Sequence, residues 1–366
     1  MLPLFAGWVR RGMRCGAGAL EGGAVLPLLA RTSSSQPLFA GWVWWGRECG
    51  AGALEGGAVL PLFAGTSSTL VGMDVPNPSY RTRYLADGYV VVTQLLSVDD
   101  RGKLLAETAA ICRGLRGPIR GLVPVADSAT DEEAIGRVLT VQFPHKASTL
   151  IADRFLAHPA VVQVLTELIG PNVKCMQSML FSKPAGKPGQ AWHQDEYFIP
   201  TRDRSLLGAW MALDDATIEN GCLWVRPGSH RDGVIWPTQP HGSDEYDEGN
   251  VAYGSPYDHQ QGVAVQVNAG DVVFFNGYLL HSSLKNRASQ GTFRRALVNH
   301  YCSAETMLPW DWDGRIPMTA DMRDIVMVAG VDPYAWKGTA DITSAYLRAE
   351  TADVNDPNRD PGKQTF

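Results

Sequence analysis

A chain of 366 residues, 45% hydrophobic and 19% charged, has the balance of a soluble globular protein and length for one large or two modest domains. Its net charge of -6 provides no basic footprint, which argues against nucleic acid as a partner. The six cysteines (Cys15, Cys49, Cys112, Cys175, Cys222 and Cys302) form no C-x-x-C pair, so neither a zinc ribbon nor a disulfide framework is indicated, and a reducing cytoplasm is the expected setting.

The N-terminus repeats itself. Pro3 to Val9 recurs at Pro37 to Val43, and Cys15 to Pro27 recurs unchanged at Cys49 to Pro61, a period of 34. Two Gly/Ala-rich copies without helical amphipathicity do not make a solenoid, which needs about three units. Residues 1–72 are therefore expected to be disordered or a mis-assigned start, with Met73 opening the folded chain. The uncharged stretch from Gly56 to Met73 is rich in Gly, Ser and Thr and is a poor membrane span. Arg10, Arg11 and Arg14 follow the first apolar run instead of preceding it, which argues against a signal peptide.

Beyond Met73, Leu85 to Val92 reads as a turn and a first strand. Ser97 followed by Asp99 and Asp100 is a helix N-cap with acids in the first turn. That helix runs to about Arg113, with Leu104, Leu105, Thr108 and Ile111 inward. A second helix fits Pro159 to Ile169, closed by Gly170 and Pro171. From Val173 onward the signal is strands, near 174–183, 190–197, 206–214, 222–226, 263–267, 271–275, 278–283 and 294–302. Eight short strands with turn residues between them indicate a mainly β fold with flanking helices, a double-stranded β-helix of the jelly-roll, cupin-like type. One such domain is expected over 73–352. The stretch 232–262 reads as a mobile loop near its mouth, and 353–366 as a flexible tail.

The chemistry concentrates in Trp192-His193-Gln194-Asp195. Residues two apart on a strand share a face, so His193 and Asp195 can grip one metal ion from the same side. His281 lies far downstream, after the apolar run Val272 to Phe275. Two histidines and a carboxylate form the facial triad of non-heme Fe(II) oxygenases, which leaves coordination positions open. Phe293-Arg294-Arg295-Ala296 then opens a strand, and a guanidinium there can clamp a carboxylate.

This constellation resembles the phytanoyl-CoA dioxygenase family of Fe(II)/2-oxoglutarate enzymes over about Tyr84 to Ala304. Gln177 to Pro184, Ala209 to Leu213 and Glu219 to His230 carry the likeness besides the metal motif. The resemblance implies Fe(II) on His193, Asp195 and His281, with 2-oxoglutarate and O2 as cosubstrates, ascorbate as an auxiliary reductant, and succinate and CO2 released. It assigns Arg294 to the far carboxylate of 2-oxoglutarate, the loop from Arg287 to Gly291 absorbing an interval slightly longer than usual. Alternation turns Arg295 to the opposite face. Ser283, Met179 and Trp210 match positions around the same cosubstrate, although Met179 and Trp210 also suit plain core packing. Gln177 shares the strand face of Met179 and can donate to a carboxylate. A further basic contact is expected from 137–146. His300 shares the parity of Arg294 and suits either the pocket or a core hydrogen bond. His230 reads as a turn residue, His145, His158, His241 and His259 as loop or surface residues, and Trp224 as core.

The expected activity is oxidation, by hydroxylation or a related reaction, of a small organic molecule. A halogenase on the same scaffold would need a small residue in place of Asp195. A non-catalytic jelly-roll binding protein would be signalled by a missing ligand. Neither substrate identity nor oligomeric state is written in the sequence. If residues 1–72 add nothing to the fold, a chain beginning at Met73 keeps the melting temperature and 2-oxoglutarate affinity of the full chain. A stability loss of several kcal/mol, comparable with a domain's whole margin, would contradict that expectation.

Overall fold

Alternation of apolar side chains builds two faces on one large sheet. The computed structural model describes residues 79–201, 203–247, 249–306, 325–339 and 343–348. The duplicated segment 1–72 and the tail 353–366 lie outside the described residues. The helices are α1 (Tyr80–Asp87), α2 (Val98–Cys112), α3 (Asp131–Gly136), α4 (Pro159–Leu168) and α5 (Asp195–Phe198). The early strands are β1 (Tyr89–Val92), β2 (Thr140–Gln142), β3 (Val173–Phe181), β4 (Leu207–Ala212), β5 (Leu223–Val225), β6 (Thr238–Gln239) and β7 (Val251–Ala252). The later ones are β8 (Val263–Val265), β9 (Val272–Asn276), β10 (His281–Ser283), β11 (Ala296–Ser303), β12 (Val326–Ala329) and β13 (Tyr346–Leu347).

The major sheet runs β1-β9-β4-β11-β3-β2-β13, with β12 also on β3; the minor sheet is β10-β5-β8. Phe274, Leu297, Leu180 and Met211 leave the major sheet on its outer face and pack with Leu104 and Ile111 of α2 and Val161 and Leu165 of α4. Phe275, Val298, Met179 and Trp210 leave it on the inner face and meet Leu223, Val225 and Val265 of the minor sheet. This is the expected jelly roll, with the early helices outside the major sheet. Ser97 caps α2, accepting from Asp100 N at 3.0 Å. Among the described residues no helix is long and apolar enough to cross a membrane.

Several expectations change. Residues 190–197 form no strand: His193 makes a single bridge to His281, and Asp195 begins α5. Leu85 to Asp87, read as part of a turn, are the last turn of helix α1, which begins at Tyr80 and is closed by Gly88. The pattern of α1 is largely polar, and only Tyr84 is buried. Helix α3 and strands β2, β12 and β13 are short elements whose periodicity did not stand out. His145 and His158 are buried, not loop-surface residues. His145 Nδ1 lies 2.6 Å from Ser178 Oγ, and His158 Nε2 lies 3.3 Å from Asp100 Oδ2.

The stretch 232–262 is not a free loop. It carries the β6–β7 hairpin. Ala252 N donates to Trp192 O at 2.7 Å and Asp247 N to Gly189 O at 2.7 Å. Gln194, buried between the two metal-motif residues, donates to Val234 O at 2.9 Å and accepts from Trp236 N at 2.8 Å.

Phe274 is fully buried between the major sheet and the helices. Phe274→Ala should cost about 3–5 kcal/mol in chemical denaturation, the range for a large-to-small core change. A loss below about 1 kcal/mol would show that this layer does not carry the fold.

Candidate active site

Two backbone hydrogen bonds hold the histidines side by side. His193 N donates to His281 O at 3.0 Å, and His281 N donates to His193 O at 3.1 Å. The ring centroids are 4.1 Å apart. The approach of the two segments depends on Gly189, where an added Cβ would fall 1.8 Å from Ser283 O. On the other side Phe275 packs on His281, with centroids 4.7 Å apart. Gly208 makes room for that ring, since a Cβ there would lie 2.4 Å from it.

Each imidazole points one nitrogen at a carbonyl two residues upstream. His193 Nδ1 donates to Ala191 O at 2.7 Å, and His281 Nδ1 donates to Leu279 O at 2.9 Å. A carbonyl can only accept, so both rings carry the proton on Nδ1 and present the Nε2 lone pair. Burial pushes the His193 ring down to about 3, with His281 acting in the same direction. It is therefore neutral near pH 7, as a metal ligand must be.

Asp195 completes the set. Its Oδ1 lies 3.6 Å from both His193 Nε2 and His281 Nε2, and one ligand atom from each residue falls within 4.8 Å of the others. The carboxylate and the two rings share a side, as the sequence implies, but by another route. Gln194 is extended and directs its amide away, to Tyr278 O at 2.7 Å, before the chain turns into α5. Burial opposes the Asp195 charge, but His300, His281 and His193 outweigh it and hold the carboxyl well below the usual range. His300 Nε2 sits 3.0 Å from Asp195 Oδ2. Two imidazole Nε2 atoms and one carboxylate on one side fit Fe(II) and leave positions open.

The second group lies around Arg294. Its side chain is buried, with the guanidinium 5.5 Å from the Trp210 ring and 5.7 Å from that of Phe181. Its Nε has no hydrogen-bond partner among the described residues. Burial lowers it to about 10, which still leaves it charged near neutrality. Arg295 takes the opposite face and is spent on Asp214, with Nε at 2.8 Å and Nη2 at 2.7 Å from its two oxygens. Ser283 Oγ accepts from Gln190 N and Lys183 Nζ, each at 3.2 Å. Met179 lies in the inner core with Trp210. Gln177 directs its amide to Gln142 Oε1 at 3.1 Å, so that donor is already engaged.

Sequence reasoning missed two cations. Lys183 and Arg348 line the small pocket shared by Arg294 and Ser283. Of the stretch 137–146, where a basic contact was expected, Leu139 and Thr140 reach that lining. Lys183 continues the parity of Met179 and Phe181, a signal that was available. Burial, then the neighbouring Arg294, lowers the affinity of its amine for a proton. Arg348 follows β13 and pairs with Asp247 at 2.7 Å, a placement only the sheet topology reveals.

Single substitutions at the triad should separate metal binding from folding. His193→Ala, Asp195→Ala and His281→Ala should each lose Fe(II) in anaerobic titration while remaining folded. Unchanged iron affinity in all three would reject the site.

The chain has clear relatives. A family model described as Phytanoyl-CoA dioxygenase (PhyH) matches residues 84–296. Peroxisomal phytanoyl-CoA dioxygenase of rat (Rattus norvegicus) is 34% identical over 238 residues, which is 62% of this chain and 68% of the relative. The human (Homo sapiens) protein of that name is 30% identical over 241 residues, covering 62% and 68%. Among solved structures, the non-heme monooxygenase ThoJ in its apo form aligns with a TM-score of 0.53 at 23% identity, over 74% of this chain and 88% of that one, and shares the fold. With that family match spanning both histidines, the carboxylate and Arg294, the chain belongs to the phytanoyl-CoA dioxygenase family of Fe(II)- and 2-oxoglutarate-dependent dioxygenases.

Proposed function

We propose that the chain hydroxylates a small organic molecule with an apolar body, converting 2-oxoglutarate and O2 to CO2 and succinate. The observation that carries this reading is the pairing of an intact buried triad with a buried arginine whose Nε is unpartnered. Bound iron would supply oxygen activation. The residues do the rest. His193, Asp195 and His281 would hold the metal on one side. Arg294, between Trp210 and Phe181, offers a charge in a water-poor setting, where an unpaired carboxylate would be costly. Ser283, fixed by Lys183 and Gln190, stands two residues from His281, shares its strand face and would touch the cosubstrate.

The apolar body is suggested by the rim. Phe198 is 57% exposed and stands 6.1 Å, centroid to centroid, from His193. Val234 and Ile235 are exposed on the segment that Gln194 fastens. The relatives are named for phytanoyl-CoA, so branched acyl thioesters belong in a substrate panel beside unrelated small metabolites. The retained Asp195 argues for hydroxylation over halogenation, which needs room for a halide on the metal. Intracellular placement in a reducing compartment is also proposed; among the described cysteines, Cys112, Cys175, Cys222 and Cys302 form no disulfide.

Incubation with Fe(II), 2-oxoglutarate, ascorbate, O2 and a metabolite extract should yield succinate and a product one oxygen heavier than its precursor. Absence of both across the panel would count against the reading. The adjacent arginines provide a sharper comparison. Arg294→Ala should weaken 2-oxoglutarate binding about a hundred- to a thousand-fold, since it strands a buried carboxylate. Arg294→Lys should lose less, because an ammonium lacks the two-pronged geometry. Arg295→Ala should stay within a few-fold. The readout is 2-oxoglutarate titration of the Fe(II) charge-transfer absorbance without oxygen, and an inverted pattern would move the carboxylate to the other arginine.

A further inference from the structure

We infer that His300 is a positioning residue: it occupies one oxygen of Asp195 so that the metal takes only the other, which keeps an adjacent coordination position open for the cosubstrate. This rests on the iron and 2-oxoglutarate reading above.

The two carboxylate oxygens have different surroundings. Oδ1 is equidistant, at 3.6 Å, from the Nε2 atoms of His193 and His281. Oδ2 faces His300 Nε2 at 3.0 Å. The carboxylate can only accept, so His300 donates through Nε2–H. Both residues are buried, and His193, His281 and His300 are the charged or titratable groups that face the carboxylate. Unrestrained carboxylates can chelate a metal through both oxygens. Chelation at Asp195 would fill one more position and leave too few for a two-point cosubstrate plus O2. Turning Oδ2 to the metal would also break the His300 hydrogen bond in a site where an unmet donor is costly.

The placement of His300 is built into the sheet. It stands on β11 opposite Gly208 of β4 and Gln177 of β3. The β3–β11 register shifts between His300 and Tyr301, where β3 carries the extra residue Met176. The extra residue belongs to β3, and β11 keeps its alternation, so His300 follows Ala296 and Val298 to the inner face. Beyond it Tyr301 takes the outer face, its hydroxyl donating to Leu156 O at 2.8 Å. His300 Nδ1 is buried with no hydrogen-bond partner among the described residues, so the Asp195 contact is the polar contact that orients the ring.

The test compares full-chain wild type, His300→Leu and His300→Gln, whose amide N–H can reach Oδ2. Each is titrated anaerobically with Fe(II) and then 2-oxoglutarate, reading the charge-transfer band and the iron X-ray absorption edge. Metal-free melting reports folding separately. His300→Leu should lose about 10- to 100-fold in metal or cosubstrate affinity, the range for partners behind metal ligands. Its band and edge should change, and His300→Gln should recover most of both. If His300→Leu does not fold, His300→Asn, whose shorter amide falls short of Oδ2, takes its place with the same expected loss. An unchanged band with affinity within two-fold in the folded Leu or Asn variant would overturn the inference alone, as would a folded Gln variant that recovers nothing. Failure of the wild type to bind Fe(II) and 2-oxoglutarate would overturn the functional reading and the inference together.

Discussion

The backbone bridge between His193 and His281 is the constraint on which the site depends. Two segments far apart in sequence exchange a pair of hydrogen bonds, and both imidazoles then emerge on one side. The bridge extends the minor sheet beyond β10, so the metal-binding atoms are referenced to a packed jelly roll instead of a loop. Gly189 permits the approach, and Gln194 anchors the intervening turn with three hydrogen bonds. From that anchor Asp195 can leave the strand direction, enter α5 and still face the histidines.

The second feature is a concentration of ionisable groups in the buried interior. Asp195, Arg294 and Lys183 are all buried, and each would be costly without partners. Asp195 is met by three imidazoles, and Lys183 by Ser283 Oγ and the carbonyls of Gly221 and Leu284. Arg294 is met by aromatic faces while its Nε stays unpartnered. Two of the three groups are met by polar partners within the chain; Arg294 Nε is not, which is what the proposed carboxylate contact rests on. Arg295, one residue away, shows the contrast: its carboxylate is already present as Asp214.

Much of this was legible in the sequence because chemistry and periodicity coincided. The clustering of the triad, the opposite faces of Arg294 and Arg295, the Ser97 cap and the two helices Val98–Cys112 and Pro159–Leu168 follow from residue type, parity and turn signals, while the inward choice of Arg294 came from the family resemblance. What escaped reading has physical reasons. The segment 190–197 has strand-like residues, but only one of its backbone positions finds a bridge, and Asp195 turns into a helix. The polar sequence of α1 hides a helix held by few apolar contacts. His145 and His158 lie between elements, yet buried hydrogen-bond partners draw them inside. His300 was left between pocket and core because parity gives its face but not its partner, which the turn of Asp195 into α5 brings to it. Arg348 reaches the pocket only through pairing of β13 with β2.

The central claim is that one buried triad holds iron while Arg294 receives the far carboxylate of 2-oxoglutarate. The most direct measurement is an anaerobic crystal structure of the chain with Fe(II) and 2-oxoglutarate. The account predicts iron on His193 Nε2, His281 Nε2 and a single Asp195 oxygen, with the cosubstrate's distal carboxylate paired to Arg294 between Trp210 and Phe181. Iron elsewhere, or a carboxylate seated on Arg348 with Arg294 untouched, would contradict it.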